Sequence, residues 1–191
     1  FGYNLNQKIL ENFSFTAKEG NKVLIQGASG SGKSTILKLI SGELNPQKGK
    51  VLLNGKELLH RKIGFVSQNP AIFCDTIRYN LTLGKDFQEE MIMEAINKAG
   101  LHDFVEDKGL NYELEEDANN ISGGQKQRIE IARALLFNCS TLLVDEGTSA
   151  LDKNTADKIH DTLMKIEKIV IEVAHYIPEE VKAQFDQVLE L

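Results

Sequence analysis

Short apolar runs, each ending at a glycine or a polar cluster, alternate along this chain with stretches in which apolar positions recur every three to four residues. Lys22-Val23-Leu24-Ile25-Gln26 is one such run and leads straight into Gly27, after which Lys33 to Ile40 follows a helical period that closes near Gly42. Val51-Leu52-Leu53 followed by Asn54-Gly55 predicts a strand ending in a tight turn, with Lys8 to Phe15 expected to pair nearby as antiparallel sheet. Ile63-Gly64-Phe65-Val66 predicts the next buried strand. From Asn69 to about Asn120 helical stretches take over, Glu89 to Ala99 stopped at Gly100 among them, with acidic connections such as Glu115-Glu116-Asp117. Strands resume at Thr141 to Val144 and Ile169 to Val173, separated by a helix whose Ala156, Ile159, Leu163 and Ile166 share one face. The alternation predicts an α/β fold, a mostly parallel sheet flanked by helices, with a helical subdomain inserted at 69–120.

Composition narrows this little. At 191 residues, 41% hydrophobic and 26% charged, the chain suits one globular domain. A net charge of -6 with scattered basic residues argues against nucleic acid or anionic lipid as a partner, because such binding rests on clustered Lys and Arg. Cys74 and Cys139 lie far apart without a CxxC, so neither a zinc site nor a disulfide is expected. No apolar run approaches the ~20 residues that span a bilayer. The start Phe1-Gly2-Tyr3-Asn4 has no initiator Met and reads as strand, so a piece of a longer polypeptide is expected. Phe13 and Phe15 are expected in the core, and His60, His102 and His160 on the surface.

Candidate chemistry changes the picture. Gly27-Ala28-Ser29-Gly30-Ser31-Gly32-Lys33-Ser34 fits G-x-x-x-x-G-K-[ST] at every fixed position, between a predicted strand and a predicted helix. Its glycines free backbone N–H groups to converge on phosphate oxygens, and the helix N-terminus adds a favourable dipole. Lys33 is expected to reach the β and γ phosphates of ATP, Ser34 to ligate Mg²⁺ and Thr35 to add a phosphate contact. The fold is therefore expected to be a P-loop NTPase core. Leu142-Leu143-Val144 drives a buried strand that ends in Asp145 and Glu146, two carboxylates at the carboxyl end of the sheet. Asp145 is expected to hold the metal and Glu146 to polarise the attacking water.

Ile121-Ser122-Gly123-Gly124-Gln125-Lys126-Gln127-Arg128, followed by Asp145-Glu146-Gly147-Thr148-Ser149-Ala150-Leu151-Asp152, resembles the nucleotide-binding domain of an ABC transporter. The resemblance covers nearly the whole chain. It implies that Tyr3 stacks on adenine, that Gln68 touches Mg²⁺ and the attacking water, and that His175 contacts the γ phosphate. It also implies that Ser122, Gly123, Gly124 and Gln125 close over nucleotide bound to a second copy of the domain, with Asp152 coupling the two sites. Gly147, where Ala or Pro is common, and Tyr176, where Arg is common, depart from the pattern without removing a catalytic group.

Phe73-Cys74-Asp75-Thr76-Ile77-Arg78-Tyr79-Asn80-Leu81 is similar to the F-x-x-T-I-x-x-N-[IL] stretch of exporter domains fused to membrane helices. Glu116 stands where exporters carry a glutamate before the signature, although Asp117-Ala118 departs from the usual pair. The expectation is thus a single ABC ATPase domain, with its core in 1–68 and 121–191, an antiparallel β part near 1–21 and 46–62, and the helical insertion at 69–120. Its expected partners are a second copy of the same or a similar domain, head to tail, and a transmembrane domain fused upstream, which places this domain at the cytoplasmic face of the cell membrane. The rivals are an importer's separate ATPase subunit and a soluble ABC ATPase acting on nucleic acid or the ribosome.

Overall fold

The computed structural model describes residues 1–3, 9–53, 56–57, 62–148 and 151–191; Lys8, the Asn54-Gly55 turn, His60, Ser149 and Ala150 lie outside the described residues. Strand β1 (Lys22–Gln26) is buried at all its positions and is followed by helix α1 (Lys33–Ser41), which Gly42 closes in a left-handed conformation. Strands β2 (Leu52–Leu53) and β3 (Lys56–Glu57) form a small antiparallel pair. Next come β4 (Ile63–Ser67), α2 (Ile77–Thr82), α3 (Glu89–Lys98) and α4 (His102–Lys108). The chain closes with α5 (Gly123–Leu136), β5 (Thr141–Asp145), α6 (Lys153–Lys165), β6 (Ile169–Ala174), α7 (Glu179–Lys182) and β7 (Gln187–Glu190).

The larger sheet runs in the order β4-β5-β6-β1-β7, and every neighbouring pair in it is parallel. Parallel neighbours need crossover connections, which is why the helical periods fall between the strands. Side chains alternate between the two faces. Val23, Ile25, Leu143, Ile171 and Val173 meet Ile36 and Leu37 of α1, whereas Leu142, Val144 and Val170 join the residues of α2, α3, α5 and α6 in a second core. Helix α5 packs so closely on β4 that Gly64 faces Ala134 where a Cβ has no room.

Two expectations need correction. Ile9 to Phe15 form no strand: the amides of Ile9 and Leu10 bond to the Phe1 carbonyl at 2.8 and 3.0 Å, while Phe13 and Phe15 lie half-buried against the α1-side core. Their alternation serves packing rather than pairing. His160 is buried, 6% exposed, not on the surface. It sits on α6 next to Ile159 and one turn before Leu163, close enough to the apolar stripe for helix packing to cover it. His102, by contrast, is exposed as expected.

Candidate nucleotide-binding site

The sheet brings four segments to one edge. Strand β1 runs out into Gly27, β4 into Gln68, β5 into Glu146 and β6 into His175, and the register pairs Ser67 with Asp145, Asp145 with Val173 and Gln26 with Ala174. Residues far apart in sequence thus emerge side by side at the carboxyl ends of parallel strands, where open α/β sheets bind ligands.

The loop from Gly27 to Ser34 is shaped by what its glycines permit. A Cβ on Gly27 would lie 2.7 Å from the Ser31 hydroxyl and 2.9 Å from the Leu191 carbonyl, so the turn closes only without a side chain. Gly32 caps α1 at φ 106, a left-handed conformation, and offers no side chain to the first-turn N–H groups. Those amides, aided by the helix dipole, form an anion-binding terminus. Ala28, Ser29 and Gly30 are exposed, and the buried Ser31 hydroxyl has no hydrogen-bond partner, as suits a group that awaits a phosphate oxygen. Lys33, buried beneath the loop, donates from Nζ to the carbonyls of Gly27 and Ala28 at 2.8 and 2.9 Å.

Ser34 Oγ donates to Asp145 Oδ1 at 3.4 Å, joining the loop to the end of β5. Burial and the neighbouring charge of Glu146 hold the Asp145 carboxyl above its usual range, opposed by the Ser34 bond and the charges of Lys33 and Lys38. A hydroxyl and a carboxylate are hard oxygen donors of the kind a small divalent cation takes, with phosphate and water completing its shell. Among the described residues no cluster of three or more His, Cys, Asp or Glu side chains offers an all-protein cage. Glu146 leaves the strand at φ 48, a left-handed conformation for a non-glycine residue, while its N–H donates to the Val173 carbonyl at 3.0 Å. Such a conformation costs on the order of 1 kcal/mol and is found at functional turns.

Tyr3 is 55% exposed, with its hydroxyl 3.3 Å from Thr35 Oγ1 and its ring edge-on to Phe1. Gln68 and His175 are exposed at the same sheet edge. Ser122 to Gln125 stand apart. They form the N-terminus of α5, closed by a capping box in which Gln125 N donates to Ser122 Oγ and Ser122 N to Gln125 Oε1. Among the described residues no hydrogen bond joins them to the phosphate loop. Ser122 and Gly123 are exposed, whereas Gly124 is buried where a Cβ would meet Thr155 Cγ2 at 2.5 Å.

A family model described as ABC transporter matches residues 10–149. The chain belongs to the ABC transporter family. It is 39% identical over 186 residues to the Lactococcin-A transport/processing ATP-binding protein LcnC of Lactococcus lactis subsp. lactis, covering 92% of this chain and 26% of that one. It is 42% identical over 176 residues to the mitochondrial Iron-sulfur clusters transporter ATM1 of Debaryomyces hansenii, covering 87% of this chain and 25% of that one. Among solved structures, a bacterial Atm1-family ABC exporter with ATP bound superposes with a TM-score of 0.84 at 35% identity, over 100% of this chain and 35% of that one. The chain therefore spans about a quarter of the length of these curated relatives. This is the ATP-binding, ATPase domain of an ABC protein, with a P-loop NTPase fold.

Buried and half-buried polar residues that no motif marks hold the segments around this site. Glu130 on α5 accepts from the amides of Ser67 and Ala71, and Arg133 donates to the carbonyls of Asn80 and Ala71. Glu172, fully buried in β6, faces His160. Only one signal was available in advance: a lone glutamate inside the apolar run Ile169 to Val173 requires a polar neighbour.

Proposed function

We propose that this domain binds ATP with Mg²⁺ and hydrolyses it as the motor of an ABC exporter, closing head to tail on a second copy or a similar domain. The observation that carries this reading is the 3.4 Å approach of Ser34 to Asp145, which unites a phosphate cradle with the carboxylate pair Asp145-Glu146. Mg²⁺, held by Ser34 and Asp145 with Gln68 nearby, would neutralise charge on the phosphates. Lys33, now bonded to loop carbonyls, exchanges them for β- and γ-phosphate oxygens. Amides of Gly27 to Ser34 hold the remaining oxygens, and Thr35 adds a contact. Glu146 orients and polarises the water aimed at the γ phosphate, and His175 bonds that phosphate. The exposure of Tyr3 supports adenine stacking above α1.

Among the described residues no bond joins the exposed Ser122 and Gly123 to their own phosphate loop, which favours service in trans. Gln125 and Asp152 complete the surface offered to the partner, and Gly124, buried against Thr155, contributes through the backbone it shares with them. Differential affinity for ATP between closed and open dimers is the free energy available for transport. The relatives named for transport, and the Phe73 to Leu81 stretch, favour an exporter with its membrane domain in the same protein, at the cytoplasmic face of a membrane. Among the described residues no helix is long and apolar enough to cross one. On this reading the core comprises 1–68 and 121–191, and the helices within 69–120 carry the motion to the membrane part.

The deciding experiment is Glu146→Gln. ATP should still bind, with turnover reduced at least about 100-fold and an ATP-locked dimer accumulating on size exclusion. Wild-type turnover in this variant would refute the assignment.

A further inference from the structure

We propose that Glu130, on the helix that begins with Ser122 to Gln125, is a positioning residue that sets the turn carrying Gln68. The proposal rests on the reading of Gln68 given above. Glu130 lies two turns into α5 and is 5% exposed. Its Oε2 accepts from the Ser67 amide at 2.8 Å and its Oε1 from the Ala71 amide at 2.9 Å. The Ser67 hydroxyl lies 3.2 Å from both carboxylate oxygens and 3.0 Å from the Asn69 carbonyl, and its single proton serves one of these at a time.

These contacts close a loop around Gln68. Among the described residues strand β4 is at the edge of the sheet and no strand receives the outward Ser67 amide, which takes Glu130 as its acceptor. Ala71 ends the same turn, and its carbonyl accepts from Arg133 at 3.0 Å while Arg133 Nε donates to the Asn80 carbonyl at 2.8 Å. Both ends of the segment are thus held by two side chains one turn apart on a single rigid helix. Ser67 is also the register partner of Asp145, so the carboxylate fixes the turn beside the metal-binding strand end.

A charged side chain in this environment is costly unless it is fully used. Burial pushes the Glu130 carboxyl up, and the amides of Ser67 and Ala71, the charge of Arg133 and the Ser67 hydroxyl draw it back. The geometry requires acceptors on both oxygens, because each faces an N–H donor. Glutamine at this place keeps the shape but sets an NH₂ against one of those donors, which loosens one end of the turn without opening a cavity. The helix that presents the signature residues to the partner's nucleotide thereby carries the chain's own Gln68.

The test is a double-mutant cycle on ATP turnover. Glu130→Gln should lower kcat by about 10- to 100-fold, the scale of loss from misplacing a reacting group. The KM for ATP should stay within about threefold, because the phosphate cradle is untouched. In a Gln68→Ala background the same change should cost less than about twofold more, since the group it positions is gone. Equal losses in both backgrounds, or none in the first, would overturn the proposal while leaving Gln68 in place. A Gln68→Ala variant with wild-type turnover would instead overturn the reading of Gln68 itself. The unaltered protein provides an arm independent of any variant's folding: the Ser67 and Ala71 amides should exchange hydrogen slowly, and exchange at open-loop rates would refute the clamp.

Discussion

His160 Nδ1 lies 3.5 Å from Glu172 Oε2, and both residues are buried between α6 and the central strand β6. On its other side His160 Nε2 is 3.3 Å from Thr148 Oγ1, two residues beyond Glu146. Burial pushes the Glu172 carboxyl up to about 8 and holds the His160 imidazole down, so both are neutral at neutral pH. The two therefore meet as neutral polar groups rather than as an ion pair, and His160 alone reaches the segment following the carboxylates, through Thr148.

A pH dependence follows from the signs. Glu172 keeps its proton in the folded chain up to about pH 8 but loses it near 4.5 when unfolded, so folding stability falls as pH rises between these values. The limiting slope is about 1.4 kcal/mol per pH unit. His160, with its folded pKa lowered, acts oppositely: its stability is lost as pH falls below its unfolded value of 6.5. Between about 6.5 and 8 the glutamate's effect stands alone. In urea titrations at pH 6, 7 and 8, Glu172→Gln should gain on the wild type as pH rises. A pH-independent gap would contradict the shift.

Gly27→Ala should weaken ATP binding by about tenfold and cost roughly 1–3 kcal/mol of stability, because its Cβ meets the Leu191 carbonyl as well as Ser31. Titration with a fluorescent ATP analogue checks the first effect and a thermal melt the second. Unchanged affinity would show that the loop relaxes around the methyl group.

Asn80 is fully buried, with Oδ1 accepting from the Phe73 amide at 2.7 Å and Nδ2 donating to the carbonyls of Phe73 and Thr76 at 2.9 and 3.0 Å. Asn80→Leu should cost about 1–3 kcal/mol, since it leaves the Phe73 amide without its acceptor and takes one of two donors from the Phe73 and Thr76 carbonyls, which keep the Asp75 and Asn80 amides. A midpoint of denaturation within error of wild type would refute this account of the asparagine in the Phe73 to Leu81 stretch.

Gly124→Ala should destabilise the contact between α5 and α6, where the new Cβ meets Thr155 Cγ2 at 2.5 Å. Overpacking of this kind costs about 1–3 kcal/mol. Thr155→Ser removes that methyl and should restore part of the loss in the double variant, as read by denaturation midpoint. Strict additivity of the two changes would place the strain elsewhere.

Much of this protein was legible because its period and its chemistry coincide. Lys22–Gln26 and Ile169–Ala174 declare themselves as buried strands by their mostly apolar runs, and Gly30 and Gly32 mark the left-handed positions of the loop between β1 and α1. The order of motifs identified the residues expected to meet at the site before any of them could be placed in space. Tertiary packing decided what local pattern could not. Asn12 to Phe15 alternates polar and apolar like a strand, yet the described part of Lys8 to Phe15 has no strand partner. His160 looks solvent-facing along α6 until β6 presents Glu172 to it. Glu130 reads as one more charge on a helix, and only the docking of α5 on β4 turns it toward the amides of Ser67 and Ala71. The division has a physical cause: backbone geometry and apolar periodicity act between near neighbours in sequence, whereas the partner of a buried polar group is chosen by which surfaces the fold brings together.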